Sequence, residues 1–527
     1  MRKMATAIKR AGRKLLYLIV IPVVLARLLG HMIGALCQRF AAIWMAAGTD
    51  ASRRPNGRNA DLSSQTKMAP ILPLPKTGVY LGDIFGYFAY LKKGAPLFLS
   101  QQSRRIGKTV FATNVGTRVV VCGDHKSAET LFVDVDNLTQ SHAINITCTR
   151  RSAPLFTSHG PDAVKARQFI QSLLPQDETA KNFQSAMSAA ENQMDNWTRL
   201  SERDLTEMKV ELAVGRLIYA LAGHLLIGSS LDTKLIERVF PAPNYLPNYP
   251  AIPPTLLPSF YGMQEALDEM YLQSMETDNW DRVARKATES KLSDREAFEQ
   301  IFTALTFNAA GLSNPILNGL LLVSLMPHRG RELLDDDAYL TSFIWELLRH
   351  NGPTVMMQLP QDTLTTTAAN ELYNLRSGTV VLCNTTMAQR DATRWKDPAL
   401  FRAKRFMKEP SGSTDDTPNG WPDEPLPTLG FGCPISRVDV PKVGSNMHQC
   451  PFTHLAPIFL KAFLRLLITR YDWRFDSEML THVHVLKNDD GLEVDFDLSH
   501  LRGGAKATED MVPIMPKGMR FSGFSHA

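Results

Sequence analysis

The chain has 527 residues, of which 44% are hydrophobic and 21% are charged, so it is long enough to bury a large core. Its net charge is only +5, and no basic run beyond the first residues indicates a nucleic-acid partner. The six cysteines show no CxxC spacing, which argues against a zinc site or a disulfide framework and suits a reducing compartment.

The N-terminal residues 1–45 predict a membrane-anchor helix. Six Lys or Arg, and no Asp or Glu, precede Leu15. The apolar runs over 15–26 and 28–37 together approach the ~20 residues that span a bilayer. A helix lying in the membrane interface is the alternative, and a transit peptide is disfavoured because the segment has no serine. Residues 46–69 are small and polar and predict a linker.

From Pro70 onwards the pattern predicts a folded domain. A proline-rich entry leads into an amphipathic helix that ends near Gln102. The segments TVFATNV (109–115) and RVVVCG (118–123) are rich in β-branched residues and are joined by a Gly-Thr turn. They predict a pair of strands.

Helical patterns follow the two strands. The segment PDAVKARQFIQSLL (161–174) carries Lys165 and Arg167 in its first turns, where such side chains are usually solvated. Long helical patterns fill 176–230. Seven prolines then fall in the segment from Phe240 through Pro258, which predicts either an ordinary long loop or an apolar lip at a substrate entrance.

The segment FEQIFTALTFNAAGLSNPILNGLLLVSL (298–325) predicts a long, buried central helix, because it is almost wholly apolar. Asn308 is costly there unless it meets a partner, as a structural hydrogen bonder or as a group beside a ligand. Gly311 allows a close approach to the helix, and Pro315 should distort it.

Two further stretches place charges in apolar surroundings. FIWELLRHNGP puts Glu346 and Arg349 on one helix face, at a spacing that is common for surface ion pairs. Because this helix is otherwise apolar, we expect the pair to be buried and completed by another group. Residues 354–384 alternate like short strands, and Arg405 then follows a Trp, an Asp-Pro turn and a Phe.

The stretch PKVGSNMHQCPFTHLAPIFLKAFLRLL (441–467) places Cys450 at the end of a polar loop, directly before an apolar helical run. The positive end of a helix favours a thiolate, and a thiolate is an axial ligand for haem iron. The alternative is a small buried cysteine. Cys433 also follows glycines, but a proline and no helical period come after it, so Cys450 is the favoured ligand.

The order and spacing of Glu346-x-x-Arg349, RDATRWKDPALFRAKRF (390–406) and Cys450 resemble the cytochrome P-450 superfamily. The resemblance implies a mainly α fold with small β-sheets, the cytochrome P-450 fold, preceded here by the anchor helix. It makes residues 70–527 the haem-thiolate catalytic domain. It also implies a haem b whose iron binds the Cys450 thiolate, with Glu346, Arg349 and Arg405 as a structural network on the cysteine side.

Two departures from the usual family motifs bear on activity. Ordinary members have FxxGxxxCxG at the ligand, whereas here Phe452 follows two residues after the cysteine and the nearest upstream glycine is Gly444. They also have AGx(D/E)T in the central helix, where this chain has Ser313 and Asn314. Because a monooxygenase uses that acid-alcohol pair to protonate bound dioxygen, dioxygen activation is disfavoured.

These departures resemble the branch of plant allene oxide synthases and fatty-acid hydroperoxide lyases. The central FNAxG motif is matched at 307–311, and PxVG…QC at 441–450 with two extra residues. The segment 138–147 lacks the aromatic position expected of allene oxide synthases, which argues against that product. The branch implies rearrangement of a hydroperoxide without O2 or a reductase. It implies the following roles: Asn308 and Gly311 catalytic; Cys450, His448, Lys165, Arg167 and Gly444 haem-binding.

The partners follow from these interpretations. We expect an apolar small-molecule substrate, such as a fatty-acid hydroperoxide, and no nucleic-acid partner. We also expect a single-pass attachment to the endoplasmic reticulum membrane, with the catalytic domain in the cytosol. A membrane-anchored monooxygenase or tailoring enzyme of secondary metabolism, which uses a reductase and O2, is the alternative. A haem-binding protein without turnover is a third interpretation.

Overall fold

A computed structural model of the chain describes the folded part between Thr66 and the C-terminus, with gaps. The described residues are 66–67, 95–114, 118–128, 161–174, 176–228, 231–239, 258–277, 279–326, 330–352, 354–359, 363–367, 369–375, 379–407, 450, 452, 455–475, 483–487, 493–496 and 521–527. The predicted anchor over 1–45 and the segment 408–449, which includes Cys433, Gly444 and His448, lie outside the described residues.

Helices make up most of the described residues, as the sequence predicts. In chain order they are α1 (Ala95–Ile106), α2 (Pro161–Ser172), α3 (Gln176–Thr198), α4 (Glu202–Glu207), α5 (Val210–Ile227), α6 (Thr233–Val239), α7 (Pro258–Met275), α8 (Trp280–Glu289), α9 (Asp294–Leu325), α10 (Glu332–Asp335), α11 (Asp337–His350), α12 (Thr385–Ala388) and α13 (Leu455–Arg470).

The strands are short and form small sheets. They are β1 (Thr66–Lys67), β2 (Val110–Asn114), β3 (Arg118–Cys122), β4 (Thr354–Gln358), β5 (Thr363–Thr366), β6 (Leu372–Leu375), β7 (Val380–Asn384), β8 (Phe401–Arg402), β9 (Tyr471–Phe475), β10 (Val483–Lys487), β11 (Glu493–Phe496) and β12 (Phe521–His526). The sheet orders are β2-β3-β7-β4, β1-β6-β5, β10-β11-β8 and β12-β9.

The largest of these sheets joins two distant parts of the chain. Strands β2 and β3 pair antiparallel, as predicted, and β3 then pairs parallel with β7, so that Val119 lies opposite Val380. Successive side chains of a strand point to opposite faces, and here both faces are buried. One face packs against Phe98 and Leu99 of α1, and the other against Tyr373 and Leu375 of β6.

Helix α9 is the central element of the helical part, and it packs against α2, α5, α11 and α13. Its N-terminus is fixed by a capping box, in which the Ser293 hydroxyl accepts from the Glu296 backbone N–H and the Glu296 carboxylate accepts from the Ser293 N–H. Pro315 lies inside the helix. Packing on several sides and a strong cap therefore hold the helix in place across the site described below.

Among the described residues, one helix, α5, is long and apolar enough to cross a membrane. It is 78% buried inside the domain, so it serves here as a core helix that packs against α3 and α9. The apolar segment that predicts a membrane anchor lies within residues 1–45, which the structure does not describe.

Candidate active site

Cys450 lies five residues before the start of α13 and is partly buried against the main hydrophobic core. The backbone N–H of Phe452 donates to its sulfur, and the Phe452 carbonyl accepts from the N–H groups of Leu455 and Ala456 in the first turn of α13. Burial raises the pKa of the Cys450 thiol, while the Phe452 N–H and the Arg167 guanidinium act in the opposite direction. The short segment thus fixes the sulfur to the start of a rigid helix.

The Phe452 side chain is buried, with 5% of its surface exposed. Ordinary members of the resembled family have a glycine at this position. Here the aromatic ring joins the main core together with Phe459 and Phe463 of α13. The departure from the family motif is therefore accommodated by packing.

Arg167 on α2 is buried and lies close enough to Cys450 for the two groups to influence each other's titration. Burial lowers the pKa of Arg167 to about 10, and the nearby thiolate partly offsets that effect. The guanidinium is therefore still cationic at neutral pH. A buried cation beside a candidate thiolate is suited to an anionic group bound at this place.

Lys165 takes a different direction from Arg167. Residues two apart in a helix do not face each other. The Lys165 ammonium donates to the backbone carbonyl of Lys291, at 3.1 Å, in the turn between α8 and α9. Of the two cations predicted to bind haem, the structure brings Arg167 to Cys450 and directs Lys165 to Lys291.

Glu346, Arg349 and Arg405 meet in a fully buried network. Arg349 Nε donates to Glu346 Oε2 at 2.7 Å and its Nη2 donates to Oε1 at 2.8 Å. Arg405 Nε donates to Glu346 Oε1 at 3.0 Å, and the Arg402 backbone N–H donates to the same oxygen at 2.9 Å. Burial by itself would raise the pKa of Glu346, but Arg349 and Arg405 hold it well below its usual value.

The remaining guanidinium protons bind backbone carbonyls of the segment after α12. Arg349 Nη1 donates to the carbonyls of Gln389 and Pro398, at 2.8 and 2.9 Å. Arg405 donates to the carbonyls of Lys396 and Leu400, at 2.7 and 3.0 Å. The network therefore fastens α11 to the irregular 389–405 segment with charge-assisted hydrogen bonds.

His350 and Arg390 extend this network, and the sequence interpretation did not identify either of them. Arg390 Nη2 lies 2.8 Å from His350 Nδ1, and His350 Nε2 lies 2.5 Å from Arg349 Nη2 and 3.1 Å from the Leu400 carbonyl oxygen. Burial, Arg349 and Arg390 lower the pKa of His350 to about 3. A histidine next to Arg349 on an apolar helix was the available signal in the sequence.

The middle of α9 borders an open space. The segments before and after it, Ile301–Leu305 and Pro315–Val323, are buried, whereas Gly311 and Asn314 are exposed. Among the described residues, no atom lies within 4 Å of a methyl group added at Gly311. Asn308 lies one turn before Gly311 in the same helix, and its side chain is outside the described residues.

These residues fit the haem that the family resemblance implies. Cys450 would hold the iron, and the buried Arg167 cation would offset the charge of the thiolate or of a haem carboxylate. The open space beside Gly311 lies on α9, which packs against both α2 and α13. The thiol thus precedes α13, the buried cation is on α2 and the open space borders α9, which packs against both of the other helices.

Comparison with known proteins agrees with this interpretation. A family model described as cytochrome P-450 matches residues 332–430, which contain the Glu346 network. Cytochrome P-450 monooxygenase braC of Annulohypoxylon truncatum is 26% identical over 141 residues, which is 27% of this chain and 26% of that protein. The matches to curated relatives cover 25% to 30% of those proteins' own lengths.

Solved structures share the fold over most of the chain. Cytochrome P-450EX alpha with myristic acid has a TM-score of 0.55 at 15% identity and covers 88% of this chain and 100% of that one. A variant of cytochrome P-450 OleT in complex with arachidonic acid has a TM-score of 0.57 at 13% identity, with coverage of 88% and 99%. The family model over residues 332–430 and the partial matches to curated relatives are to cytochrome P-450 proteins, the solved structures share their fold, and this similarity implies a haem with a cysteine thiolate ligand.

Proposed function

We propose that this chain is a haem-thiolate enzyme that rearranges the hydroperoxide of an apolar lipid, without O2 and without a reductase. The FNAxG motif at 307–311 and the ligand loop ending at Cys450 support the proposal through their resemblance to the hydroperoxide branch. Rearrangement needs no outside electrons, because the O–O bond is reduced while carbon atoms of the same molecule are oxidised.

The observation that carries the proposal is the uncharged character of α9 beside the open space. From Gln300 to Leu325 the sequence contains no acidic, basic or histidine side chain. Gly311 and Asn314 are exposed to that space. An amide has no titratable proton at neutral pH, so this face is a poor source of the protons that dioxygen cleavage consumes. A hydroperoxide, in contrast, arrives with its O–O bond already formed.

The chain's own residues take the following proposed roles. Cys450 binds the iron, and the haem, when bound, supplies the chemistry that breaks the O–O bond. Arg167 neutralises negative charge on that side. Asn308 donates a hydrogen bond to one peroxide oxygen, and Gly311 leaves room for the substrate.

A lipid-sized ligand is compatible with this fold. Two solved proteins that share the fold were determined with myristic acid and with arachidonic acid. These two ligands support an apolar substrate; the motifs and the uncharged helix face support a peroxide group on it.

The test is to mix the purified, haem-loaded protein with a fatty-acid hydroperoxide in the absence of O2 and of any reductant. We expect the hydroperoxide to be consumed and an isomer, or a product that has lost water or has been cleaved, to accumulate. No consumption under these conditions, with intact haem-thiolate absorbance, would reject the proposal.

A monooxygenase is the second candidate, and one observation favours it. The matched relative from Annulohypoxylon truncatum bears the name monooxygenase. Under this alternative the chain uses a reductase and O2, and protons reach the site by a route other than the side chains of α9. Consumption of NADPH and O2 with a reductase, together with indifference to hydroperoxides, is the result that would favour it.

A further inference from the structure

The open face of α9 offers polar groups that the proposed roles above do not use. Gly311 and Asn314 are three residues apart, so they lie on the same side of the helix, one turn from each other. Both are exposed, although the helix is buried immediately before and after them. Asn314 therefore presents an uncharged amide beside the gap that Gly311 leaves.

Pro315 adds a hydrogen-bond acceptor at the same place. In a helix the carbonyl of residue i−4 accepts from the N–H of residue i, and proline has no N–H. The position four residues before Pro315 is Gly311, whose carbonyl consequently lacks the donor that the helix would supply. Because Gly311 has no side chain, and no atom in the part of the chain that the structure describes lies within 4 Å of a methyl group added there, a ligand can come close to the backbone.

We propose that the Gly311 carbonyl and the Asn314 side chain form a neutral recognition point for an O–H group of the substrate. The carbonyl accepts the O–H proton, and the Asn314 amide donates to the oxygen. A hydroperoxide or a hydroxyl group satisfies both partners at once. This inference rests on the proposed function for its choice of hydroperoxide, and it identifies the group through which that substrate is positioned.

The absence of charge narrows the substrate class. Helix α9 itself has no cationic side chain between Gln300 and Leu325, so it offers no counter-charge to a carboxylate at the recognition point. A carboxylate at the recognition point would also face the Gly311 carbonyl oxygen, which repels it. The recognition point is therefore selective for an uncharged, O–H-bearing part of a lipid.

The test measures equilibrium binding by calorimetry, with two stable probes that the enzyme does not need to turn over. The probes are the methyl ester of a mid-chain hydroxy fatty acid and the methyl ester of the parent acid without the hydroxyl. The native protein should bind the hydroxy ester more tightly, by about fivefold for each hydrogen bond formed. Asn314→Leu, which removes the amide, should lose about fivefold of that preference.

Pro315→Ala provides a second variant, because it returns an N–H to the Gly311 carbonyl. We expect it to lower the preference for the hydroxy ester while leaving or raising thermal stability, since a helix-interior proline is unfavourable. Ser324→Ala is the matched control on the same helix, because its hydroxyl donates to the Leu321 carbonyl away from the open face. The control should keep the full preference.

The outcomes separate this inference from the proposed function. Loss of the hydroxy-ester preference in both variants supports the recognition point, even if the native protein fails to consume hydroperoxides. Equal binding of the two esters by the native protein, or an unchanged preference in the two variants, overturns the recognition point, even if hydroperoxides are consumed.

Discussion

At the scale of single residues, Glu346 is a carboxylate with no exposed surface, kept ionised by its partners. Removing it leaves the Arg349 and Arg405 guanidinium groups buried without their counter-charge. We expect Glu346→Ala to destabilise the protein by about 3–5 kcal/mol and to leave little haem-loaded protein. Urea unfolding and the haem-to-protein ratio measure both effects.

The control for that variant is Asp337→Asn. Asp337 also pairs with two cations, Lys461 at 2.6 Å and Arg465 at 2.7 Å, but its side chain is 65% exposed. An exposed pair contributes at most about 1 kcal/mol, so haem loading should stay normal. Equal losses in the two variants would contradict a special role for burial of the Glu346 network.

His350 should make the stability of the protein depend on pH. Its pKa is lowered from about 6.5 in an unfolded chain to about 3, so between these values the unfolded state binds a proton that the folded state does not. The folded protein keeps its full free energy of unfolding above the pKa that His350 has in the unfolded chain. This free energy falls as pH falls through the window, by about 1.4 kcal/mol per pH unit. Between pH 6 and 5 this slope is separate from that of Glu346, which begins below about 4.3.

His350→Asn should remove about one proton's slope between pH 6 and 5, measured by urea unfolding at each pH. Ser342→Ala is the control, because its hydroxyl donates to the Ala403 carbonyl and accepts from the Phe406 N–H without titrating. That variant should be less stable than the native protein while keeping its slope. An unchanged slope in His350→Asn would contradict a neutral, buried imidazole.

At the scale of elements, two glycines of α9 should respond in opposite ways to substitution. An added methyl group at Gly311 meets open space, whereas at Gly319 it would lie 3.2 Å from Leu347 and 3.3 Å from Leu464. Gly311→Ala should gain up to about 1 kcal/mol of helix stability. Gly319→Ala should lose stability unless α11 and α13 move apart. Thermal unfolding of both variants checks this contrast.

A larger side chain extends the same test to ligand binding. Gly311→Leu should fold normally and bind the hydroxy-ester probe at least tenfold more weakly than the native protein, because the side chain fills the open space. Calorimetry measures the affinity, and thermal unfolding confirms the fold. Normal affinity in this variant would show that the ligand does not approach α9 at Gly311.

The elements themselves were largely predictable, because their signals are local. Two segments rich in β-branched residues predict β2 and β3, and the structure has these strands at Val110–Asn114 and Arg118–Cys122. The central helix was predicted from residue 298 but begins at Asp294, since the Ser293 capping box extends it by a turn of polar residues. The apolar pattern alone cannot detect that turn.

The contacts between elements were less predictable, because they join residues far apart in the chain. Nothing local indicates that β3 pairs with β7, which makes Cys122 and Cys383 register neighbours. The ion pairs of Glu346 were predicted from a sequence motif. The contact between His350 and Arg390 was not, because tertiary packing brings these two residues together. Arg167 and Lys165 looked equivalent in the sequence, and only helix phase distinguishes them.

At the scale of the whole molecule, we propose that residues 1–45 attach the protein to a membrane and take no part in the chemistry. The support is the apolar run that follows six basic residues. Deleting 1–45 should move the protein to the soluble fraction with its turnover per haem unchanged, as measured by fractionation and assay. Continued sedimentation with membranes would point instead to a second membrane contact, such as the proline-rich segment before Pro258.

The central claim concerns the source of the oxygen chemistry, and Asn308 tests it most directly. The measurement is the rate of hydroperoxide consumption per haem, without O2 or reductant, for the native protein and for Asn308→Ala at equal haem content. Loss of a transition-state hydrogen bond costs about 2–4 kcal/mol, so the variant should be at least ~30-fold slower than a rapid native enzyme. Equal rates, or a native protein that ignores hydroperoxides yet consumes NADPH and O2 with a reductase, would contradict the account.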